Sequence, residues 1–395
     1  MKPVLAALGI TNALGNNKAA VLANLLAGVA PGMQAQPGWL PQQHTWLGSV
    51  TGELPAVTEP LAAFDCRNSR LLLAALQQID TDIAAAITQY GRDRIGVVIG
   101  SSTSGIAEGE RALAAKLHDG HWPSHYDYRQ QEVGSPAEFV ARYLGLDGIA
   151  LTISTACSSS AKALGSARQL LALGVCDAVI CGGADSLCRL TVNGFSALES
   201  VSPTRCEPFA SGRNGINIGE GAALFLMTRD GDGIRLAGIG ESADAHHISA
   251  PQPDGIGAEA AMRAALHDAG ITAADINYIN LHGTATPLND AMESAAVARV
   301  FGCHTPCSST KPLTGHTLGA AGATEVALCW LLLSAMNDSR LLPPQVNSQP
   351  MDPALPPIAI LRAAQCLPHT PITRMLSNSF AFGGSNAAVI LEATA

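Results

Sequence analysis

The chain alternates short runs of apolar residues with longer stretches in which apolar residues recur at helical spacing. The apolar runs predict strands at residues 3–8, 95–100, 149–153, 178–182, 222–227, 234–239, 276–281, 306–309, 375–378 and 387–391. The helical spacing predicts helices at residues 71–79, 136–144, 161–172, 258–269, 290–301 and 320–336. Strands that lack polar alternation and are interspersed with helices are typical of mainly parallel sheets covered on both faces. We therefore expect an α/β fold.

The predicted strands fall into two groups of five, which indicates an internal structural duplication. A turn-rich segment at residues 228–233, Thr-Arg-Asp-Gly-Asp-Gly, separates the two groups. We therefore expect an N-terminal half over residues 1–230 and a C-terminal half over residues 231–395. Sequence identity between the halves is not evident, so the duplication rests on the pattern of strands alone.

The composition limits the classes of protein to which the chain can belong. Apolar residues make up 47% of the chain but aromatic residues only 4%, so a core would consist mainly of Ala, Leu, Val and Ile. No uninterrupted apolar run reaches the length of a membrane span, and a net charge of −9 disfavours nucleic acid as a partner. Ten cysteines without a zinc-type spacing or a secretory signal predict reduced thiols, no metal centre and a cytoplasmic location.

Cys157 lies at the boundary between two predicted elements and has the setting expected of a nucleophile. The strand-like run ends at Ile153, six small residues surround the cysteine, and an alanine-rich helical pattern begins at Ala161. The positive end of a helix dipole lowers the pKa of a nearby thiol and favours the reactive thiolate. The alternative for Cys157 is a buried residue that only fills space, which is the role we expect for the other cysteines.

Two distant histidines occur in settings similar to that of Cys157. His282 and His316 each follow a strand-like run and lie among small residues that would leave the imidazole accessible. Either histidine could instead be structural, with its ring nitrogens bonded to the backbone. A nucleophilic cysteine together with two accessible histidines suggests thioester chemistry at a carbon–carbon bond.

Six motifs, in order along most of the chain, resemble those of the β-ketoacyl-acyl-carrier-protein synthases in the thiolase-like superfamily. They lie at residues 155–160 (Thr-Ala-Cys-Ser-Ser-Ser), 217–221 (Asn-Ile-Gly-Glu-Gly), 242–247 (Ser-Ala-Asp-Ala-His-His), 282–290 (His-Gly-Thr-Ala-Thr-Pro-Leu-Asn-Asp), 309–322 and 377–386 (Ser-Asn-Ser-Phe-Ala-Phe-Gly-Gly-Ser-Asn). The resemblance implies a thiolase-like α/β fold, in which two similar βαβ halves form a layered α-β-α-β-α core. It also implies an acyltransferase that condenses a cysteine-bound acyl group with malonyl-acyl-carrier-protein, with loss of carbon dioxide, in fatty acid or specialised polyketide or polyene biosynthesis.

The same resemblance implies a role for each of the motif residues. Cys157 would carry the acyl group, and the backbone amides of Cys157 and Phe382 would stabilise the oxyanion. His282 and His316 would donate hydrogen bonds to the thioester oxygen of the enolate that decarboxylation produces. The other implied roles are a network of Lys311 with Glu325 and Asp244, pantetheine binding by Thr284 and Thr286, a gate at the acyl pocket formed by Phe380 and Phe382, and docking of an acidic carrier protein by Arg67 and Arg70.

The family resemblance also implies which partners the chain needs. These are acyl- and malonyl-loaded acyl carrier protein, together with either a second copy of the chain or a homologous chain-length subunit, while no cofactor is implied. The two histidines resemble the elongating class of synthase, whereas the initiating class has a histidine and an asparagine. A thiolase or initiating synthase that uses coenzyme A thioesters stays an alternative, and so does a partner subunit that only binds the chain.

Three positions differ from the commonest pattern of the family. Ala285 stands where Gly or Ser is frequent, Ala381 stands where Gly is usual, and the usual Arg-Asp-Gly-Phe is Arg-Asn-Gly-Ile at residues 213–216. Ala381 would stiffen the gating loop, since Ala accepts a positive φ less readily than Gly. No catalytic group is lost, so these differences suggest a specialised biosynthetic pathway.

Overall fold

A computed structural model describes residues 1–41 and 43–394 of the chain. Its strands are β1 Val4–Asn12, β2 Met33–Leu40, β3 Gln43–Gly48, β4 Ile95–Gly100, β5 Ala150–Ile153, β6 Ala178–Asp185, β7 Ile218–Gly219, β8 Gly221–Thr228, β9 Arg235–Ala243, β10 Tyr278–Asn280, β11 Cys307–Ser308, β12 Leu341–Leu342, β13 Gln365–Cys366, β14 Ile372–Phe380 and β15 Ser385–Thr394. Its α-helices are α1 Lys18–Ala27, α2 Arg67–Leu76, α3 Asp80–Tyr90, α4 Ile106–Asp119, α5 Ser135–Leu144, α6 Ser159–Ala172, α7 Arg189–Ala197, α8 Ile256–Ala269, α9 Pro287–Phe301, α10 Lys311–Thr314 and α11 Ala321–Leu333.

The largest sheet has ten strands in the order β11-β10-β14-β15-β9-β1-β8-β6-β4-β5. From the outer edge inwards, the N-terminal half contributes β5, β4, β6, β8 and β1, and the C-terminal half contributes β11, β10, β14, β15 and β9. When these strands are numbered in chain order within their own half, both halves show the same order: third, second, fourth, fifth, first. The first strands of the two halves, β1 and β9, pair in the middle of the sheet. This repeated order confirms the predicted internal duplication. Within each half, four of the five strands run in the same direction, as expected, but the fifth strand, β8 or β15, runs antiparallel to both of its neighbours and makes the sheet mixed. A run of apolar residues reports the burial of a strand and not its direction.

Helices cover the strands and produce the layers that the family resemblance implied. α6 and α11 pack against each other and against strands of both halves, so they form a central layer. α2 and α5 cover the other side of the N-terminal strands, and α8, with α9 packed against it, covers the other side of the C-terminal strands. The core clusters at these interfaces consist mainly of aliphatic residues, in agreement with the low aromatic content.

The apolar segment at the centre of α2 belongs to the core. Leu71, Leu72 and Leu76 are at most 1% exposed. Within the described part of the chain, no single helix is long and apolar enough to cross a membrane. α2 and α3 meet that test of length and composition only together, and they are bent by 75° at the break between them.

The ends of strands from both halves position the residues that the motifs singled out. Cys157 follows β5 and precedes α6, His282 follows β10, and Phe382 lies between β14 and β15. Because β10 and β14 are parallel, their carboxyl ends lie at the same edge of the sheet. The segments of His282 and Phe382 therefore lie at one edge of the sheet, and Cys157 lines the same cavity as both residues.

Candidate active site

A tight turn between β5 and α6 holds Cys157. Ala156 has a φ of +52°, in the left-handed region, and the side chain of Ser159 fastens the turn by accepting a hydrogen bond from the Thr155 N–H (2.9 Å) and donating one to the Ala156 carbonyl (2.6 Å). α6 begins at Ser159, two residues before the apolar pattern suggested. Cys157 is therefore held next to the first turn of the helix, and it is only 5% exposed.

Two groups from the C-terminal half face the sulfur of Cys157. His316 Nε2 lies 3.1 Å from Sγ, and the backbone N–H of Phe382 lies close enough to the sulfur to favour the thiolate. Burial raises the pKa of the Cys157 thiol to about 11, although the charge of Lys311 and the Phe382 amide act in the opposite direction. Removal from water therefore acts against the lowered pKa that the helix dipole alone would produce.

The protonation state of His316 follows from its surroundings. Its Nδ1 accepts a hydrogen bond from the backbone N–H of Leu318 (3.3 Å), so the proton of the neutral ring lies on Nε2, the nitrogen that faces Cys157. A φ of +52° at Leu318 shapes the turn in which this bond forms. Burial, together with the charge of Lys311, holds the pKa of His316 well below its usual range. His316 is therefore a neutral hydrogen-bond donor.

His282 has the same arrangement, but with a different donor at its Nδ1. The Lys311 ammonium lies 3.3 Å from this nitrogen and can only donate, so the ring carries its proton on Nε2. Burial is the main cause that holds the pKa of His282 well below its usual range, with the charge of Lys311 second. The carboxylate of Glu293 accepts hydrogen bonds from the backbone N–H groups of His282 and Gly283 (both 2.7 Å) and thereby fixes the loop after β10.

Lys311 and Glu325 form a buried ion pair behind the histidines. Lys311 Nζ lies 2.5 Å from Glu325 Oε1 and also donates to the carbonyl of His282. Burial raises the pKa of the Glu325 carboxyl to about 7, although Lys311 acts in the opposite direction. The expectation that Asp244 joins this network is wrong. Asp244 lies in the loop after β9, where its carboxylate accepts hydrogen bonds from the Asn386 side chain (2.6 Å) and the Gln252 N–H (3.1 Å).

Cys157 and both histidines open onto a cavity of about 260 Å³. The cavity is also lined by the residues proposed for pantetheine binding and gating, namely Thr284, Thr286, Phe380 and Phe382, and by Asp244. Sequence reasoning missed a further part of the cavity wall, which comes from α7 and the segment after it and includes Phe195, Leu198 and Ile216. Only Ile216 had a signal, since it departs from the family pattern, whereas α7 carries no motif.

The loop between β14 and β15 brings Phe382 over the cavity. Its ring centroid lies 5.3 Å from that of Phe195, while the Phe380 ring packs against His282 at 5.9 Å. The positive φ values of this loop fall at Gly383 (+83°) and Gly384 (+76°) and not at Ala381. Alanine at position 381 therefore causes no φ strain, contrary to the expectation from the sequence.

Arg67 and Arg70 lie apart from this cavity, and both guanidinium groups are paired. Arg67 bonds to both carboxylate oxygens of the buried Glu220 (2.7 and 2.5 Å), and Arg70 bonds to both oxygens of Asp65 (2.6 Å each). The two arginines line a separate polar cavity of about 500 Å³. Arg67 has a structural reason to be present, since a buried carboxylate requires a partner.

The ligand atoms of Cys157, His282 and His316 lie within 4.8 Å of one another, a spacing that could also hold a metal ion. A histidine that ligates a metal through Nε2 normally donates its Nδ1–H to an acceptor. Here each Nδ1 atom accepts a hydrogen bond instead. The donor is Lys311 in the case of His282 and the Leu318 amide in the case of His316. The surroundings therefore favour hydrogen-bond donation into the cavity over metal ligation.

The fold, with one thiol and two imidazoles at its centre, defines a thiolase-like enzyme of the condensing acyltransferase class. The chain belongs to the β-ketoacyl synthase family. The family model of the β-ketoacyl synthase N-terminal domain matches residues 60–232, and that of the C-terminal domain matches residues 234–349.

Individual relatives match between 82% and 100% of the chain. Nodulation protein E of Rhizobium meliloti is 35% identical over 368 residues, which span 88% of this chain and 89% of that protein. A 3-oxoacyl-[acyl-carrier-protein] synthase 2 of Staphylococcus aureus is 33% identical over 344 residues, which span 82% of this chain and 84% of that protein. A ketosynthase from Xenorhabdus doucetiae, solved in complex with its chain length factor, is 50% identical with a TM-score of 0.95 and covers 100% of this chain and 98% of its own.

Proposed function

We propose that the protein is a β-ketoacyl-acyl-carrier-protein synthase, which condenses a Cys157-bound acyl group with malonyl-acyl-carrier-protein in fatty acid or polyketide biosynthesis. The observation that carries the proposal is the convergence of the Cys157 thiol and the Nε2–H groups of His282 and His316 on one largely apolar cavity. The similarity to a 3-oxoacyl-[acyl-carrier-protein] synthase supports the substrate class.

The first step transfers the acyl group from its carrier to Cys157. The sulfur attacks the thioester carbonyl, the bond between this carbon and the carrier's sulfur breaks, and the cysteine proton leaves with the carrier's thiol. The oxyanion that forms between these events needs preorganised donors. The backbone N–H of Phe382, which lies near the Cys157 sulfur, is suited to this role together with the N–H of Cys157 itself.

The second step removes carbon dioxide from the malonyl thioester. The bond to the carboxylate carbon breaks, and its electron pair becomes an enolate whose oxygen needs hydrogen-bond donors. His282 and His316 can stabilise this charge without losing a proton, because both rings are neutral and carry their proton on Nε2. Loss of one such donor typically lowers a rate by about 100-fold or more.

The third step forms the new carbon–carbon bond. The enolate carbon attacks the carbonyl of the acyl-cysteine, and the bond between this carbonyl and the Cys157 sulfur breaks. The sulfur leaves as a thiolate and regains a proton, while the β-ketoacyl product remains on the carrier that delivered the malonyl group. The raised pKa of the Cys157 thiol favours this return to the protonated state.

Lys311 and Glu325 are assigned a positioning role. Lys311 bonds to both Nδ1 and the carbonyl of His282, so it fixes the tautomer and the position of the ring. Glu325 balances the charge that Lys311 brings into the buried centre. Thr284 and Thr286, which line the cavity and are bonded to each other at 3.0 Å, are suited to contact the pantetheine arm.

The protein is proposed to act with a homologous subunit and with acyl carrier protein. The similar ketosynthase from Xenorhabdus doucetiae was solved with its chain length factor, which supports an unlike pair. Because this chain carries Cys157, it would be the active member of such a pair. A cytoplasmic location is proposed as well, since eight of the ten cysteines are buried as free thiols, a form typical of a reducing compartment.

Intact mass spectrometry tests the proposed function. The protein is incubated with acyl-carrier-protein thioesters and then with malonyl-acyl-carrier-protein. The expected result is an acyl adduct that is absent in Cys157→Ala and is discharged as a β-ketoacyl product longer by one malonyl-derived unit. Acylation without discharge would favour a chain-binding subunit, and equally efficient use of coenzyme A thioesters would favour a thiolase or initiating synthase. Failure of every thioester to acylate the protein would contradict the mechanism.

A further inference from the structure

We infer that the acyl carrier protein docks on an apolar rim around the opening of the active-site cavity, and not on the arginines of α2. The rim consists of Leu198, Ile248 and Leu288. This inference deepens the proposed function and rests on it, because it requires substrates that arrive on a carrier protein. A tethered acyl group can reach Cys157 only if its carrier lies at this opening.

The three rim residues border the same opening. Leu198 and Leu288 line the cavity that contains Cys157. Ile248 lies beside the gating loop, where its carbonyl accepts a hydrogen bond from the N–H of Gly383 (2.8 Å). The rim therefore combines the end of α7, which Leu198 follows, with the loop after β9 and the start of α9, and sequence alone gives no reason to group these segments.

All three rim side chains face solvent to an unusual extent for large apolar residues. Leu198 is 51% exposed, Leu288 is 62% exposed and Ile248 is 80% exposed. Single exposed apolar residues are common on protein surfaces, but several around the entrance of a functional cavity indicate a contact surface. A protein partner that covers them would gain the free energy of burying their apolar area.

The charges around the opening do not favour an ionic contact. Among the described residues that line the cavity there is no Lys or Arg, whereas the carboxylates of Glu199 and Asp244 are present. The two arginines predicted to dock the carrier are paired with Glu220 and Asp65 and line a different cavity. Apolar docking needs none of these charges, so it agrees better with the surface at the opening.

Substitution of Ile248 tests the inference directly, because this residue does not line the cavity and is the most exposed of the three. The rate of Cys157 acylation is measured for Ile248→Ser and Ile248→Asp, in the enzyme with any partner subunit that it requires. Each variant is assayed with the same acyl group on carrier protein and on free pantetheine. We expect kcat/KM to fall by about tenfold with carrier protein and to stay unchanged with pantetheine.

Leu173→Asp provides the matched control. Leu173 is 77% exposed, close to the value for Ile248, and it follows the last residue of α6, at the opposite end of that helix from Cys157. At a rise of about 1.5 Å per residue, the length of α6 separates Leu173 from Cys157 by roughly 20 Å. We expect this variant to use both thioesters like the unmodified protein, which would show that an added surface charge is not itself the cause.

The ionic alternative makes opposite predictions. If Arg70 docks the carrier, Arg70→Ser should lower kcat/KM with carrier protein, and the unmodified enzyme should lose activity steeply as ionic strength rises from about 0.05 to 0.3 M. If the carrier docks on the apolar rim, we expect little change in kcat/KM for Arg70→Ser and little dependence of activity on ionic strength. If kcat/KM is unchanged in the Ile248 variants, or falls equally with carrier protein and with pantetheine, the docking inference is overturned but the proposed function is not. Absence of acylation from either thioester in the unmodified protein would instead contradict the proposed function.

Discussion

Lys311 touches three groups of the catalytic centre, namely Nδ1 and the carbonyl of His282 and the carboxylate of Glu325. In Lys311→Met the imidazole of His282 loses the donor that keeps its proton on Nε2. We expect decarboxylation of malonyl-acyl-carrier-protein to slow by about 100-fold, the effect of losing one oxyanion donor, while acylation of Cys157 continues. Product formation and acylation are measured separately by liquid chromatography and intact mass.

A second variant separates this positioning role from a purely structural one. Removing Lys311 leaves the Glu325 carboxylate buried without its partner, which typically costs about 3–5 kcal/mol of stability. Lys311→Met/Glu325→Gln should recover most of this stability, because it removes the uncompensated charge, but it should not recover decarboxylation. Recovery of both together would mean that Lys311 only stabilises the fold.

The pKa of the Cys157 thiol can be tested directly, because the helix dipole alone would lower it whereas burial raises it. Because burial raises its pKa to about 11, the thiolate fraction is small at neutral pH. The rate of Cys157 alkylation by iodoacetamide should therefore rise by about tenfold per pH unit between pH 7 and 9. The rate is read from the mass of the Cys157 peptide, with Cys157→Ala as background. A plateau below about pH 8 would instead indicate the lowered pKa expected from the helix dipole alone.

At the scale of residues, the sequence predicts which side chains lie together more accurately than it predicts their hydrogen-bond partners and pKa values. Cys157, His282 and His316 converge because their motifs lie at strand ends that the fold brings together. Asp244 was assigned to the wrong network, since its partners, Asn386 and Gln252, are set by loop packing that no local pattern records. The pKa of Cys157 depends on burial by both halves, which its own segment does not reveal.

At the scale of elements, the four residues between β14 and β15 form a hairpin loop that holds Phe382. Two backbone hydrogen bonds close it, from the Ala381 N–H to Ser385 and from the Gly384 N–H to Ala381 (3.0 Å each). A third bond, from the Asp244 N–H to the Gly384 carbonyl (2.8 Å), ties it to the loop after β9. The position of the Phe382 amide therefore depends on the backbone geometry of the two glycines.

Gly383 and Gly384 provide a matched pair for testing this dependence. Both have positive φ, but a Cβ at Gly383 would meet no other atom within 4 Å, whereas at Gly384 it would lie 2.7 Å from Asp244 Cβ. Gly383→Ala should lower the free energy of unfolding by about 1 kcal/mol through φ strain alone. Gly384→Ala should cost more than about 2 kcal/mol and also slow acylation of Cys157, because the clash displaces the loop. Denaturant unfolding and the acylation rate measure both effects, and equal results would contradict the role of the contact with Asp244.

The sequence predicted the strands correctly where each strand is an uninterrupted run of buried apolar residues. Each of the ten predicted strands overlaps a strand of the large sheet, although the run at residues 306–309 yields only the two-residue β11. The small sheet of β2, β3 and β7 was missed, because β2 contains Gln34, Gln36 and Pro37 and lacks a strand-like apolar run. The boundary between the halves at residues 230 and 231 stays a prediction.

At the scale of the whole molecule, the two edges of the large sheet differ. At the C-terminal edge, the chain itself covers β11, since Cys307 exchanges backbone hydrogen bonds with Ala359 and Leu361. At the other edge, β5 pairs with β4, and among the described residues no further strand pairs with it. Ile149 and Leu151 at this edge are each 37% exposed. An open edge with exposed apolar side chains favours association with another chain.

This edge is therefore where we expect the homologous subunit to bind, and the expectation can be tested with one residue. Leu151→Lys places a charge on the exposed edge, and Leu173→Asp, directly after the end of α6, serves as the control. We expect the first variant to shift the assembly towards the monomer in light scattering and the second to leave it unchanged. Because β5 ends at Ile153, directly before the turn that holds Cys157, loss of the partner should also slow acylation. A Leu151→Lys protein that keeps its mass in solution would exclude β5 from the interface, and one that becomes monomeric with unchanged acylation would show that the catalytic turn does not depend on the partner.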